Sequence, residues 1–433
     1  MERDRAYANV LLDARAKRRR LPLRDRALLT ELCYGVLRRR GTIDFLLMQV
    51  GDRPLERMDL DVRNLLRLGA YQLFYVTRIP PYAAVDESVR LARRGTAAFV
   101  NAVLQTLARR GPLREEELPE DSILRWSVWH SHPRWLVARW LKQLGEAAVE
   151  LMEANNRVPP VGIVWNPLRG RVDVLEQALA RSGAAWEASP WVPHAYRLRH
   201  AGRLLTSGEG DRGRFWVMDE AAAIVVRLLD PQPGERVLDV CAGGGGKAML
   251  AADLMEHRGV VKALDINPRA LRRLQEARRR LGTSIVHPLS GDAREAAGRF
   301  RQWADRVLVD APCTGLGTVG RRPEIRWHRE PGDIPRLAAL QEAILEGAAA
   351  CVRPGGVLVY AVCSHEPEEA GEGIGKFVAR HADFALDEAA PGFFRGSRSQ
   401  FLSRGAVCTW PHRHGTDGFF AVRLRRRAGS GSA

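Results

Sequence analysis

Two cysteines follow short apolar segments of the kind that form buried strands. Cys313 comes directly after residues 307–312, and Cys363 comes directly after residues 357–362. Segments rich in β-branched residues are typical of the central strands of a parallel sheet. Ligands of such sheets bind at the carboxyl ends of the strands. Two thiols at that edge, with a glycine-rich loop upstream, indicate covalent chemistry on a substrate beside a nucleotide-like cofactor.

The remaining cysteines do not indicate a disulfide framework or a metal site. The chain has six widely spaced cysteines and no CxxC pair, so we predict neither zinc nor any other metal. Small buried side chains are the default interpretation for Cys33, Cys351 and Cys408. For Cys313 and Cys363 the alternative to chemistry is the same, namely two buried thiols at strand ends.

A glycine-rich loop follows a strand predicted over residues 236–241 and opens a helix predicted over 248–256. The candidate cofactor-binding residues of this loop are Cys241, Ala242, Gly243, Gly244, Gly245, Gly246 and Lys247. Glycines allow close approach of the backbone to a ligand, and a helix amino end favours negative charge. The dinucleotide pattern GxGxxG fits poorly, and the Walker pattern fails because Ala248 follows Lys247. A plain tight turn is the alternative.

Acidic residues at the ends of the next two predicted strands strengthen the cofactor interpretation. Asp265 ends a strand predicted over 259–264, where a carboxylate can accept both ribose hydroxyls of a nucleoside. Asp292 follows a strand predicted over 284–286 and is placed to reach an adenine edge. Alternatively, each of Asp239, Asp265 and Asp292 caps the helix that follows it.

Composition indicates a polyanionic partner. The 433 residues carry a formal net charge of +16, with 45% hydrophobic residues, which favours nucleic acid or an anionic membrane surface. No apolar run is long enough for a transmembrane helix, and the charged start does not resemble a signal peptide. We therefore expect a cytoplasmic protein whose partner is nucleic acid and not a membrane.

The spacing of apolar residues predicts three domains and a tail. Residues 1–130 are predicted to be all-α, with one helix opening near Asp86, and 131–215 to form a small α+β module with a helix over 135–153. Residues 216–425 alternate strand, loop and helix as in a doubly wound α/β domain. Residues 426–433 are predicted to be a disordered polar tail.

The first domain has a moderate basic bias, with 24 lysines and arginines against 17 acidic residues in 1–130. The basic residues cluster at predicted helix ends, over 17–20, 38–40, 93–94 and 109–110. These clusters are candidates for contacts with RNA. Cations at carboxyl ends also interact favourably with the helix dipole, so each cluster has a structural alternative.

Several motifs together resemble the RsmB (Sun/Fmu) family of bacterial 16S ribosomal RNA cytosine carbon-5 methyltransferases. The similarity covers nearly the whole chain and includes an amino-terminal segment similar to NusB-like RNA-binding domains, around residues 99–104. The motifs that resemble the family in the catalytic part are 215–222, 239–247, 310–315 with 322–327, 360–364 with Pro367-Glu368-Glu369, and 416–420.

The resemblance implies a Rossmann-like domain that uses S-adenosylmethionine. It implies that Cys363 is the nucleophile and that Cys313 assists loss of the carbon 5 proton and release of the enzyme. Asp310 would hold the base and contact the cofactor site, and Lys247 would order the loop and Asp310. Cys241 would have a packing and backbone role. The implied substrate is 16S ribosomal RNA, with the enzyme acting as a monomer.

The sequence departs from the family pattern without losing a reacting group. Gly243-Gly244 replaces the usual Ala-Pro, Val362 replaces threonine, Met218 replaces glutamine, and Trp165 stands at a position that is normally basic. Three alternatives stay open: the same reaction on transfer RNA or another ribosomal site, a non-catalytic NusB-like recruitment protein, and a nicotinamide dehydrogenase. The poor GxGxxG fit disfavours the last of these.

Overall fold

A computed structural model describes residues 7–51, 54–199, 201–389, 391–403 and 405–428, without the side chains of Lys17 and Ser403. The α-helices of the described residues are α1 (Ala8–Arg18), α2 (Leu23–Val50), α3 (Leu60–Tyr75), α4 (Pro81–Leu91), α5 (Ala97–Arg110), α6 (Ser122–Trp129), α7 (Arg134–Leu144), α8 (Ala147–Ala154), α9 (Val172–Ser182), α10 (Gly202–Leu205), α11 (Glu220–Leu229), α12 (Gly246–Leu254), α13 (Pro268–Leu281), α14 (Ala297–Phe300), α15 (Ile325–His328), α16 (Asp333–Ala349), α17 (Gly371–Arg380) and α18 (Pro411–His414).

The strands form two sheets. They are β1 (Val161–Trp165), β2 (Ala185–Ala188), β3 (Ala195–Arg199), β4 (Phe215–Val217), β5 (Arg236–Asp239), β6 (Val260–Asp265), β7 (Val286–Ser290), β8 (Ala304–Asp310), β9 (Val352–Val362), β10 (Phe384–Leu386), β11 (Leu402–Ser403), β12 (Ala406–Thr409) and β13 (Phe419–Arg426). None of the helices in the part of the chain that the structure describes is long and apolar enough to cross a bilayer.

The chain divides into two compact units. The helical unit comprises the described residues of 1–158 together with 319–329, and the catalytic-site unit comprises those of 159–318 and 330–433. The boundaries at 130 and 215 that we inferred from the sequence stay predictions, because compactness alone does not define domains.

The helical unit is built on α2 to α5. Their apolar faces form one core, to which α2 contributes Ile43, Leu46 and Leu47. Burial of such amphipathic faces stabilises helices more than intrinsic propensity does. Arg67 of α3 lies within this packing and donates to both carboxylate oxygens of Asp44, at 2.6 and 2.7 Å. The bidentate geometry fixes α3 against α2.

The segment 319–329 belongs to the helical unit although it is distant from its helices in sequence. Arg326 is fully buried there and donates to the carbonyl oxygens of Ser131 and Asn155, each at 3.0 Å, and to Oδ1 of Asn156 at 2.9 Å. Trp327 donates from its indole nitrogen to the carbonyl oxygen of Leu37 at 2.7 Å. Polar groups buried in this way are hydrogen-bonded because leaving them unpaired is costly.

A small antiparallel sheet opens the catalytic-site unit. Its strand order is β2-β3-β1-β4, and its core includes Ile163 and Tyr196 from the strands and Leu175 and Leu179 from α9. The pattern is the α+β module that the sequence predicts.

The larger sheet is doubly wound. Its order is β11-β12-β13-β9-β8-β5-β6-β7, with β10 paired to β13. β5, β6, β7, β8 and β9 are parallel, whereas β13 is antiparallel to β9. The chain runs from β5 outwards to β7 and then continues at β8 on the other side of β5. That reversal of strand order places the expected ligand crevice at the carboxyl ends of β5 and β8.

The structure corrects four local predictions. The helix predicted over 135–153 is broken at Gly145, whose φ of 58° ends α7. Helix α4 begins at Pro81 and not near Asp86, because proline suits the first helical position. Strand β7 begins at Val286 and includes Pro288, which an edge strand tolerates.

The fourth correction concerns the predicted tail. Arg426 is the last residue of β13 and pairs with Phe384. Its guanidinium lies 3.0 Å from a carboxylate oxygen of Asp383, so the strand continues one residue into the predicted tail. Residues 429–433 of that tail lie outside the described residues.

We predict that Arg326→Met destabilises the helical unit by on the order of 3 kcal/mol or more, because several buried acceptors would each lose a donor at about 1–3 kcal/mol. Urea denaturation measures the change. Arg322→Met on the same segment is the matched control; Arg322 is exposed, so its loss should cost less than about 1 kcal/mol. Equal effects of the two substitutions would contradict the role of burial.

Candidate functional site

The two cysteines that opened the sequence analysis lie side by side. Cys363 directly follows β9, Cys313 lies three residues beyond β8, and their sulfur atoms are 3.3 Å apart. Both are free thiols. β8 and β9 are parallel neighbours in which Asp310 is opposite Ala361, so the two strands end together. This register brings two residues fifty positions apart to one point at the carboxyl edge of the sheet.

The surroundings of the Cys313 thiol raise its pKa. The hydrogen bond with Cys363 comes first and burial second among the causes that raise the pKa well above the usual range, with further contributions from the Glu369 and Asp310 carboxylates. Either sulfur can be the donor in the hydrogen bond between the two thiols. Because a thiolate is the reactive form of cysteine, the raised pKa makes Cys313 a poor candidate for the nucleophile.

Lys247 and Asp310 form an ion pair next to the thiols. Nζ of Lys247 lies 2.6 Å from Oδ2 of Asp310 and 5.4 Å from the ring centre of Phe419. Burial by itself lowers the pKa of Lys247, but the Asp310 carboxylate, with further contributions from Asp239 and Cys363, outweighs it and the net shift is upward. Lys247 is therefore a half-buried, charged ammonium that joins the first turn of α12 to the end of β8.

A second carboxyl group, that of Asp239, lies near this ion pair. Asp239, at the end of β5, is buried and accepts a hydrogen bond from the backbone N–H of Cys241 at 3.3 Å. Burial, followed by the Asp310 carboxylate, raises the pKa of Asp239 to about 7. Burial also raises the pKa of Cys241 well above its usual value. The packing and backbone role of Cys241 stays a prediction.

The glycine-rich loop is closed by an acidic residue of the neighbouring strand. Asp265 accepts hydrogen bonds from the backbone N–H groups of Gly243 and Asn267, each at 2.7 Å. Gly243 has a φ of 54° and Gly245 a φ of 84°. A Cβ atom on Gly245 would lie only 2.6 Å from Cγ of Leu274, so this position requires glycine. Ala242, Gly244 and Gly246 complete the turn into α12.

These residues fit a nucleoside cofactor. The loop presents backbone amides at the amino end of α12, an arrangement that favours polar and anionic groups. The Asp265 carboxylate lies at the end of the adjacent strand, where ribose hydroxyls are bound in this class of fold. Among the described residues, no group of three or more His, Cys, Asp or Glu side chains has the arrangement of a metal site.

Asp292 is engaged differently from Asp265. Its carboxylate caps the short turn that follows β7 by accepting from the N–H of Arg294 at 2.9 Å. It also lies 2.5 Å from the guanidinium of Arg294, and that hydrogen bond is the main cause that lowers its pKa. The capping alternative for Asp292 is therefore present in the structure, and its contact with an adenine stays a prediction.

A buried network that sequence reasoning did not single out anchors the Cys313 loop. The fully buried Glu369 carboxylate accepts from the N–H and hydroxyl of Thr314 at 2.8 and 2.5 Å and from the amide of Gln341 at 3.0 Å. The hydroxyl of Tyr360 donates to the carbonyl oxygen of Glu369 at 2.7 Å. Glu369 belongs to the Pro367-Glu368-Glu369 motif. The same residues are also typical of a helix amino end, so the sequence did not distinguish a capping role from this buried anchoring role.

The basic clusters of the helical unit are partly engaged in structural contacts. Arg38 is buried and donates to the carbonyl oxygen of Gly320 at 3.0 Å. Arg93 pairs with Asp61 at 2.9 Å, and Arg110 with Glu117 at 2.9 Å. The structural alternative is thus present at these arginines, whereas contact of the clusters with RNA stays a prediction.

We predict that Asp239→Asn flattens the pH dependence of stability in the ligand-free protein. An aspartate in an unfolded chain has a pKa near 3.9, so between about pH 4 and pH 7 the folded protein binds the extra proton. Stability contributed by this group therefore falls as the pH rises through that window. Melting temperatures between pH 4.5 and 8 test this, with the exposed Asp211→Asn as control. Parallel profiles for wild type and Asp239→Asn would contradict the raised pKa.

Comparison with known proteins gives the family. Residues 226–425 match the family described as 16S rRNA methyltransferase RsmB/F, residues 1–109 match the NusB family, and residues 132–204 match the ferredoxin-like domain of RsmF/B-like methyltransferases. A solved methyltransferase homologue from Pyrococcus horikoshii is 27% identical with a TM-score of 0.59, covering 71% of this chain and 100% of that one.

Relatives that match over nearly the full length support the same family. The probable ribosomal RNA small subunit methyltransferase B of Bacillus subtilis is 35% identical over 99% of this chain and 96% of the relative. The ribosomal RNA small subunit methyltransferase B of Klebsiella pneumoniae is 33% identical over 99% of this chain and 95% of the relative. The resemblance and fold class inferred from the motifs are confirmed: the chain belongs to the RsmB/F family of S-adenosylmethionine-dependent methyltransferases and combines a NusB domain, a ferredoxin-like module and a Rossmann-like catalytic domain.

Proposed function

We propose that this protein methylates carbon 5 of a cytosine in small-subunit (16S) ribosomal RNA through a covalent adduct between Cys363 and carbon 6 of the base. The observation that supports this most directly is the thiol pair, with sulfur atoms 3.3 Å apart beside the Lys247–Asp310 ion pair. The names of the relatives, which are ribosomal RNA small subunit methyltransferases, support the substrate class.

Carbon 5 of cytosine is a weak nucleophile, so the reaction needs covalent activation. In the proposed mechanism the Cys363 thiolate forms a bond to carbon 6, and the electron pair of the ring double bond moves to carbon 5. Bound S-adenosylmethionine supplies an electrophilic methyl group. After transfer, a base removes the carbon 5 proton, the carbon–sulfur bond breaks, and the electron pair of the carbon 5–hydrogen bond restores the ring double bond.

The other residues have separate roles in this mechanism. Asp310 lies at the adjacent strand end and would hydrogen-bond ring nitrogen 3 and the amino group, which stabilises charge developing on the ring. Lys247 holds Asp310 in place and adds positive charge near the thiols. Cys313 would assist removal of the carbon 5 proton and release of Cys363. The target base must be unpaired or flipped out to reach this edge of the sheet.

The cofactor residues follow from the same arrangement. The backbone of residues 241–247 would enclose the methyl donor. Asp265 would accept hydrogen bonds from its ribose hydroxyls, and Asp292 would contact the adenine once its ion pair with Arg294 is broken. Asp310 borders both the donor and the base. We expect the enzyme to act as a monomer on RNA that is naked or partly assembled.

Cys363→Ala is expected to abolish methyl transfer, by more than about a thousandfold, because the proposed nucleophile is removed. Incorporation of tritiated methyl groups into unmodified 16S ribosomal RNA measures the effect. Cys408→Ala is the control, since Cys408 is a free thiol outside the proposed site and its loss should leave the rate within about twofold. A Cys363→Ala enzyme with near-normal turnover would refute the adduct.

Cys313→Ala is expected to accumulate a covalent protein–RNA adduct, because methylated base would no longer be released. The adduct is detected as a species of reduced mobility in denaturing gel electrophoresis, and Cys363→Ala is its negative control. Accumulation in Cys363→Ala instead would show that the two roles are exchanged.

Substrate choice is tested with separated unmodified RNA species. Methyl transfer to 16S ribosomal RNA, followed by mapping of 5-methylcytosine, is the expected result. Transfer only to transfer RNA or to another ribosomal RNA would favour the first alternative. Tight RNA binding without transfer to any species would favour a recruitment protein.

A further inference from the structure

Helix α13 of the catalytic-site unit carries a row of exposed arginines. Residues 268–281 contain six arginines and one acidic residue, Glu276. Arg269, Arg272, Arg273 and Arg279 are all exposed. At 3.6 residues per turn they share one face of the helix, opposite the buried Ala270, Leu274 and Leu281.

These four guanidinium groups have no ion-pair partner among the described residues, and Glu276 on the same face makes none with them. Three other exposed arginines of this unit are ion-paired. Arg258 lies 2.7 Å from Glu256, Arg336 lies 2.6 Å from Asp333, and Arg380 lies 2.7 Å from Glu342. The face of α13 therefore presents uncompensated positive charge.

Helix electrostatics does not account for this charge. Cations stabilise the carboxyl end of a helix and are unfavourable at the amino end. Arg278, Arg279 and Arg280 lie in the last turn of α13, where the dipole favours them. Arg269 lies in the first turn, where no acidic residue is present, and Arg272 and Arg273 follow in the second. The dipole therefore opposes Arg269 and does not account for Arg272 or Arg273, so an external anion is the partner that would explain this basic half of the helix.

The position of the row relates it to the cofactor site. α13 begins three residues after Asp265, whose carboxylate closes the glycine-rich loop. The row therefore starts at the carboxyl edge of the sheet and extends from Arg269 to Arg279 over about 15 Å, at 1.5 Å per residue. That length spans several phosphates of one strand, which are about 3.4 Å apart along a duplex axis.

The chemistry of the face favours nucleic acid as its partner. Arginine forms planar, bidentate hydrogen bonds with phosphate. Helices that bind membranes insert an apolar face into the lipid, but Ala270, Leu274 and Leu281 of α13 are buried within the unit. We propose that the outward face of α13 is an RNA-binding surface that contacts phosphates flanking the target cytosine. This proposal rests on the proposed function for the identity of its partner.

The test uses the full chain with Arg269→Gln, Arg272→Gln and Arg273→Gln combined. Affinity for an unmodified 16S ribosomal RNA fragment is measured at several salt concentrations by filter binding. Three lost phosphate contacts should weaken binding at least tenfold at low salt and make the log–log salt dependence shallower by about two, since each contact contributes about 0.7–0.9. The melting temperature should be unchanged or higher, because Arg269 opposes the helix dipole.

Two further variants make the result specific. Arg258→Gln, Arg336→Gln and Arg380→Gln combined remove the same charge from ion-paired positions and should bind within about twofold of wild type. Arg269→Lys, Arg272→Lys and Arg273→Lys combined keep the charge and should restore most of the affinity that the glutamine variant loses. An unchanged salt dependence in the glutamine variant, or an equal loss in the ion-paired control, overturns the proposal. Absence of methyl transfer by wild type would instead count against the proposed function, and the binding measurement would still decide the role of α13.

Discussion

The ion pair between Lys247 and Asp310 is the interaction on which the site depends. It joins the helix after the glycine-rich loop to the strand that leads to Cys313, at 2.6 Å between charged atoms. Three aspartates, Asp239, Asp265 and Asp310, converge at this edge of the sheet. Burying several carboxylates together is costly unless charge is neutralised. Lys247 neutralises Asp310, and the raised pKa of Asp239 shows how the remaining cost is reduced by keeping a proton.

One of the two thiols next to this pair lies among carboxylates. Cys313 lies near the Glu369 and Asp310 carboxylates, and these contribute to the upward shift of its pKa. Glu369 also fixes the backbone after Cys313 through Thr314. One buried carboxylate therefore positions the loop and favours its protonated thiol. That arrangement is compatible with the proposed role of Cys313 in proton transfer beside a separate nucleophile.

The segment that follows Cys313 in sequence belongs to the helical unit. Five residues after Cys313 the chain leaves the catalytic-site unit, and it returns at Glu330. Between these points Arg326 donates to the carbonyl oxygens of Arg38, Ser131 and Asn155, which come from three parts of the helical unit. Burial lowers the pKa of Arg326, and the nearby Arg38 and Arg39 lower it further. Its position is consequently fixed by geometry rather than by an opposite charge.

The sequence by itself determined the strand–loop–helix order and the family, because apolar periodicity, glycine placement and the motifs are local features of the chain. The roles of the reacting residues that it indicates stay predictions. The sequence did not determine the end of α7 at Gly145 or the pairing of Pro288 in β7, where local preference and neighbouring structure compete. Only the tertiary structure decided that Arg326 is buried while Arg269, Arg272 and Arg273 are exposed, since both segments are rich in arginine and composition does not separate them. It also placed Glu369 against Thr314 and gave the two cysteines different surroundings, because burial and electrostatic interactions depend on residues that are distant in sequence.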